Sequence, residues 1–142
     1  MGAQMDRRTF RAQRTAPEQA LFILPEEKLV PRDAAPLNVG LALAEAMKAV
    51  PAAERPALMK EKLAGLLPSG ADVALYRADI LFDPMWQADV LGVLLGVGRN
   101  RRLYLVWPGN ICGTMLEYAS ADHADYMSVD ASRYIDTYVV SK

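Results

Sequence analysis

Residues 20–24 read Ala-Leu-Phe-Ile-Leu, and Pro25 stops the run. Nothing in this stretch alternates between apolar and polar. A strand this apolar has no face to offer water, so both of its faces must be covered. A chain built around it needs a sheet enclosed between other elements. The 142 residues suit one domain, and the 52% apolar content is enough to fill its core.

The rest of the chain supplies the cover. Pro25, Pro31 and Pro36 make residues 25–36 read as an irregular loop. Val39, Leu43, Met47 and Val50 then fall on one helical stripe, with Asn38 as cap and Pro51 as stop. Pro56 opens a second helix, whose stripe runs through Leu58, Met59, Leu63, Leu66 and Leu67 to a Pro68-Ser69-Gly70 stop. Asp72–Tyr76 reads as a strand. Asp83 and Pro84 read as the cap and first position of a helix reaching Val97 and closed by Gly98. Leu103–Trp107 is a strand stopped by Pro108-Gly109. Thr114–Tyr118 is a short strand, and Arg133–Val140 reads as the last one. Strands alternating with helices predict a three-layer α/β domain with a mostly parallel sheet, over residues 18–142. Residues 1–17 read as a basic, flexible N-terminal arm.

Net charge is −1, from 16 basic and 17 acidic residues, which implies no general polyelectrolyte partner. Basic residues bunch in two places: Arg7, Arg8, Arg11 and Arg14 in the arm, and Arg99, Arg101 and Arg102 around Asn100. The single cysteine, Cys112, builds no disulfide framework and no Cys-rich zinc site, which fits a reducing, cytoplasmic setting. The N-terminus lacks the apolar segment of a signal peptide. The longest apolar stretch, Val90–Val97, is far short of a membrane span. No membrane partner is expected.

Several short motifs occur in a fixed order. Pro36-Leu37-Asn38-Val39 leads into a helix, and Glu54-Arg55-Pro56 opens the next. Ile80-Leu81-Phe82-Asp83-Pro84 is followed by Gln87-Ala88-Asp89-Val90-Leu91. Arg99-Asn100 precedes a strand ending Trp107-Pro108-Gly109. Leu116-Glu117-Tyr118-Ala119 is followed by His123-Ala124-Asp125-Tyr126. Together, over residues 36–127, they resemble BrxF, the small P-loop NTPase-like family of type 3 BREX (bacteriophage exclusion) systems. The resemblance implies a reduced P-loop NTPase-like sheet and a role in antiviral defence.

The departures from that family bear on activity. A glycine-rich loop with a lysine should follow the first strand, so that successive backbone N–H groups wrap the phosphates. Residues 25–36 contain no glycine, and Glu26 and Glu27 would repel phosphate. Tyr76 stands where the family's second strand should end in an acid that holds Mg²⁺ through water. Asp79 matches a second, residual acidic position. The Walker motifs are thus degenerate. The expectation is a non-catalytic adaptor, with no catalytic residue, no metal and no cofactor, that docks on larger defence proteins. A homo-oligomer is compatible with it. One alternative is a nucleotide-binding subunit, using ATP and Mg²⁺, whose phosphate site a neighbouring chain completes. Another is a DNA-binding accessory protein, with Arg7, Arg8, Arg11 and Arg14 as weakly supported nucleic-acid contacts.

Arg99, Asn100, Arg101, Arg102 and Trp107 are the residues expected to contact a partner or a phosphate, because arginine and tryptophan favour interfaces. Arg99 and Asn100 also fit a solvated turn after a helix C-terminus, and Trp86 and Trp107 also fit packing roles. Asp79 and Asp83 are otherwise a strand-end residue and a helix cap. His123 reads as a loop residue without a nucleophile, and Cys112 as a small hydrophobe.

Overall fold

A computed structural model describes residues 3–13, 17–68, 70–83, 89–119 and 126–141. The elements in chain order are β1 (Ala3–Met5), α1 (Arg7–Gln13), β2 (Ala20–Leu24), β3 (Ala35–Asn38), α2 (Val39–Met47), α3 (Arg55–Leu66), β4 (Val73–Tyr76), α4 (Val90–Val97), β5 (Arg102–Val106), β6 (Asn110–Cys112), β7 (Met115–Tyr118), β8 (Met127–Asp130) and β9 (Thr137–Val140). Short 3₁₀ turns lie at Glu27–Leu29, Ala52–Glu54, Ala78–Phe82 and Ala131–Arg133.

Six strands form one sheet in the order β1-β9-β2-β5-β4-β3, and every pairing in it is parallel. The apolar run of residues 20–24 is β2. It lies between β9 and β5, with Leu24 opposite Val106 and Ile23 opposite Val139. All five of its residues are buried. Leu21 and Ile23 face the core shared with α2, α3 and α4, alongside Val39, Leu43, Met59, Leu63 and Leu94. Ala20, Phe22 and Leu24 face the opposite side, with Phe10, Leu29 and Tyr104. The expected α/β organisation and mostly parallel sheet are therefore present.

The second face is covered in an unexpected way. Residues 25–34, after β2, form only one 3₁₀ turn before β3 begins at Ala35. The helix over this face comes from the N-terminal segment instead. Phe10 of α1 is 0% exposed, edge-on to Phe22 at 5.2 Å and to Tyr104 at 6.2 Å. Phe22 stacks on Tyr104 at 5.3 Å. Residues 3–13, expected in a flexible arm, are thus part of the domain, because Phe10 is the apolar group that closes this layer. The same segment supplies edge strand β1, paired with β9.

Other boundaries also differ from the sequence reading. Residues 35–38 form β3 despite Pro36, because β3 is an edge strand, where the missing N–H can point away from the sheet. Asn38 caps α2 as expected, accepting from the Leu41 N–H at 3.0 Å. Asp89, not Asp83, caps α4, accepting from the Gly92 N–H at 3.3 Å. Pro84 and Trp86 lie outside the described residues. β6, β7 and β8 form a small antiparallel sheet of their own. Among the described residues, no helix is long and apolar enough to cross a membrane.

Replacing Phe10 with Ala removes the only aromatic group that α1 contributes. The expected cost is about 3–5 kcal/mol of stability, measured by urea denaturation. A loss under about 1 kcal/mol would mean that α1 does not close the second face.

Candidate functional site

In an open parallel sheet, ligands bind outside the carboxyl ends of the strands, where neighbouring connections diverge. Here the chain leaving β2 crosses to β3 at the far edge. The chain leaving β5 passes to β9 on the other side of β2. Just beyond these strand ends lies a cavity of about 380 Å³, lined by Glu27, Tyr76, Arg77, Asp79, Val106 and Pro108.

Each lining residue is placed by local geometry. Tyr76 and Val106 are the last residues of β4 and β5. Glu27 sits on the 3₁₀ turn after β2. Arg77 turns the chain out of β4 in the left-handed region, at φ +54°, a conformation that costs a non-glycine residue free energy. That turn brings Asp79, in the next 3₁₀ turn, back to the cavity. The Tyr118 hydroxyl of β7 lies 3.5 Å from Asp79 Oδ2, so the small sheet reaches one wall. Burial, and secondarily the Glu27 carboxylate, raise the pKa of Tyr76. Two carboxylates, one guanidinium and a half-buried phenol converge here. The set suits polar or cationic groups and opposes phosphate. Among the described residues, no group of three or more His, Cys, Asp or Glu side chains is placed to hold a metal ion.

Trp107 stands beside this crevice as a structural anchor. It is 4% exposed. Its backbone N–H donates to Leu24 O at 2.9 Å, and its Nε1 donates to Glu117 O at 3.0 Å. Its ring meets Phe82 at 5.0 Å, and Phe82 meets Tyr118 at 4.9 Å. It therefore joins the main sheet to the small one. A Cβ at Gly109 would collide with the Glu117 carbonyl, so the Trp107-Pro108-Gly109 motif reflects a close backbone approach.

The structure does not bring Trp107 together with the arginine cluster. Arg99 to Arg102 lie at the opposite, amino-terminal end of β5. Arg102 forms a 2.8 Å ion pair with Asp72 and donates to Pro17 O at 2.8 Å. Its hydrogen bond to Asp72 raises its pKa further. Arg101 donates to Pro68 O at 2.6 Å and Ala71 O at 3.0 Å. Asn100 has φ +64°, and its N–H donates to Gln19 Oε1 at 2.9 Å. Arg99 is exposed. The N-terminal arginines are divided as well. Arg7 pairs with Glu26 at 3.1 Å and donates to Ser141 O at 3.3 Å, Arg8 is exposed, and Arg11 borders a basin on the second face. Arg14 and His123 lie outside the described residues, and Cys112 is exposed.

Arg77 and Tyr118 are the site residues that the sequence reading missed. No local signal marks a left-handed arginine, and Tyr118 reaches the crevice only through tertiary packing. No family model, curated protein or solved structure matches this chain.

The Glu27 charge contributes to the raised Tyr76 pKa. Glu27→Gln should therefore lower that pKa, while burial keeps it above the ordinary phenol value. Alkaline titration followed by tyrosinate absorbance checks this, and an unmoved Tyr76 transition would separate the two groups.

Proposed function

We propose that this chain is a non-catalytic accessory subunit of a bacterial anti-phage system of the BREX kind, with a reduced P-loop-like domain that docks on larger defence proteins. The defence setting rests on the ordered motifs of residues 36–127 and their resemblance to the BrxF family. The non-catalytic part rests on one structural observation, the state of the backbone donors after β2.

A phosphate cradle needs several consecutive N–H groups aimed outward at the strand end. Here Leu29 N–H donates to Glu26 O at 3.3 Å, Val30 N–H to Glu27 O at 3.1 Å, and Ala34 N–H to Pro31 O at 3.2 Å. Pro25 and Pro31 have no N–H to give. Three N–H groups of the connection are thus bonded within it, two prolines supply none, and Glu27 lines the crevice. A polyphosphate placed there would face Glu27 and Asp79 with Arg77 as the lining cation, an unfavourable balance at short range.

Within the contact set read from the sequence, Arg99 and Asn100 are the partner-facing pair. Both are exposed. Arg101 and Arg102 are engaged within the domain, and Trp107 is buried.

Two measurements test this reading. Titration with Mg²⁺-ATP up to millimolar concentration, followed by calorimetry and amide shifts, should show no binding at the crevice residues Tyr76 to Asp79. A dissociation constant of about 10 μM or tighter, roughly −7 kcal/mol, would overturn the non-catalytic assignment. Arg99→Glu should leave the melting temperature unchanged and abolish co-purification with the defence complex. Unimpaired assembly would remove Arg99 from the contact surface.

A further inference from the structure

The crevice at the strand ends holds charges of both signs that do not neutralise each other. Glu27, Arg77 and Asp79 all line it. They come from two connections, Glu27 from the turn after β2 and the other two from the exit of β4. Among the described residues, Arg77 forms an ion pair with neither carboxylate. The Glu27 charge acts on Tyr76, so the two connections face one space. The Tyr118 hydroxyl stands 3.5 Å from Asp79 Oδ2, longer than an ordinary O–H···O bond, and leaves that carboxylate most of its accepting capacity.

The remaining wall is apolar. Val106 is half-buried at the end of β5, and Pro108 follows it without an N–H to offer. The Tyr76 ring is half-buried against the core of the second face. The volume, about 380 Å³, falls at the small end of the range for small-molecule sites.

These groups select a ligand by elimination. A bare cation would leave Arg77 opposed, and a bare carboxylate would meet Glu27 and Asp79. A molecule carrying an ammonium, a carboxylate and a short apolar part answers all of them. We propose that the crevice binds a free α-amino acid with an apolar side chain, its ammonium held by Glu27 and Asp79, its carboxylate by Arg77, and its side chain against Val106, Pro108 and the Tyr76 ring. An ammonium has three donors to share between carboxylates on separate segments. A guanidinium offers a carboxylate two parallel donors. The chain would then respond to an amino-acid metabolite at the carboxyl end of its sheet, while Arg99 and Asn100 at the amino end remain free for a protein.

The test titrates the full chain with L-leucine, followed by amide shifts in the NMR spectrum and by calorimetry. Saturable binding with a dissociation constant near or below about 1 mM is expected, with shifts centred on Glu27 and on Tyr76 to Asp79. Leucinamide, which lacks the carboxylate, and 4-methylpentanoate, which lacks the ammonium, should each bind about tenfold more weakly, equivalent to about 1.4 kcal/mol. Arg77→Asn keeps a residue that tolerates the left-handed region, so the melting temperature should hold. That variant should lose the preference for leucine over leucinamide, which a merely structural role for Arg77 would not remove. Four results would overturn the proposal: no saturation by about 10 mM leucine, equal affinity for either analogue, an unchanged preference in Arg77→Asn, or shifts centred away from the crevice. None of them alters the non-catalytic reading, which the Mg²⁺-ATP titration tests separately.

Discussion

The structure depends on covering β2 from both sides. Its five residues are buried without exception, and the sheet can hold them only if each face carries an apolar layer. Three helices serve one face. On the other, the chain between β2 and β3 is too short to supply a helix, and the gap would leave Phe22 and Tyr104 in contact with water. At about 25 cal/mol for each Å² of apolar surface, exposing two aromatic rings would cost several kcal/mol. Phe10 fills that place. Its helix is therefore an obligate part of the fold, and the Arg7–Glu26 pair holds its first turn against the start of the connection. That pair is partly exposed, so orientation rather than stability is its main contribution. The basin on this face exists because a helix from elsewhere in the chain lies against a connection that has none of its own.

The amino-terminal ends of the strands are held by polar groups. Arg102 and Arg101 reach the carbonyls of Pro17, Pro68 and Ala71, and the Asp72 carboxylate takes both the N–H and the Nε of Arg102. These bonds join the segments entering β2, β4 and β5. A guanidinium suits the task because its donors diverge within one plane and can satisfy several acceptors together. Three arginines close together in a sequence need not form a binding patch. Two of them here fill the hydrogen-bonding needs of strand entrances.

Legibility in the sequence followed the range of the interactions. The β2 run, the Asn38 cap, the stripes of α2 and α3 and the parallel sheet were readable because period, stop and cap are local signals. β3 was hidden by Pro36, which is compatible with a strand only at an edge, and edge position is a property of the whole sheet. α1 carries one buried residue on a polar background, too little for a helical stripe. Asp83 and Asp89 both precede suitable helix starts, and burial of Val90, Leu91 and Leu94 settles on the second. At the candidate site, Glu27, Tyr76 and Asp79 could be read by comparison with a nucleotide-binding pattern. Arg77 could not, because its place follows from a backbone angle. Trp107 was visible as a strand terminus, while its burial depended on the small antiparallel sheet.

The distribution of charge connects these observations. In a nucleotide-binding sheet the strand ends attract anions and the flanking face is plain cover. This chain has the reverse arrangement. Glu27 and Asp79 stand at the strand ends, and Arg11, Lys28 and Arg32 line an open basin on the face. Both features come from one short segment. The 3₁₀ turn after β2 places Glu27 at the crevice and Lys28 at the basin, and Arg32 follows just beyond it. A longer, glycine-rich connection leading into a helix could wrap phosphates at the strand end, but its helix would occupy the space that α1 now fills. The short connection therefore has two consequences that agree in geometry, a strand end without a glycine-rich turn and a face left open to α1.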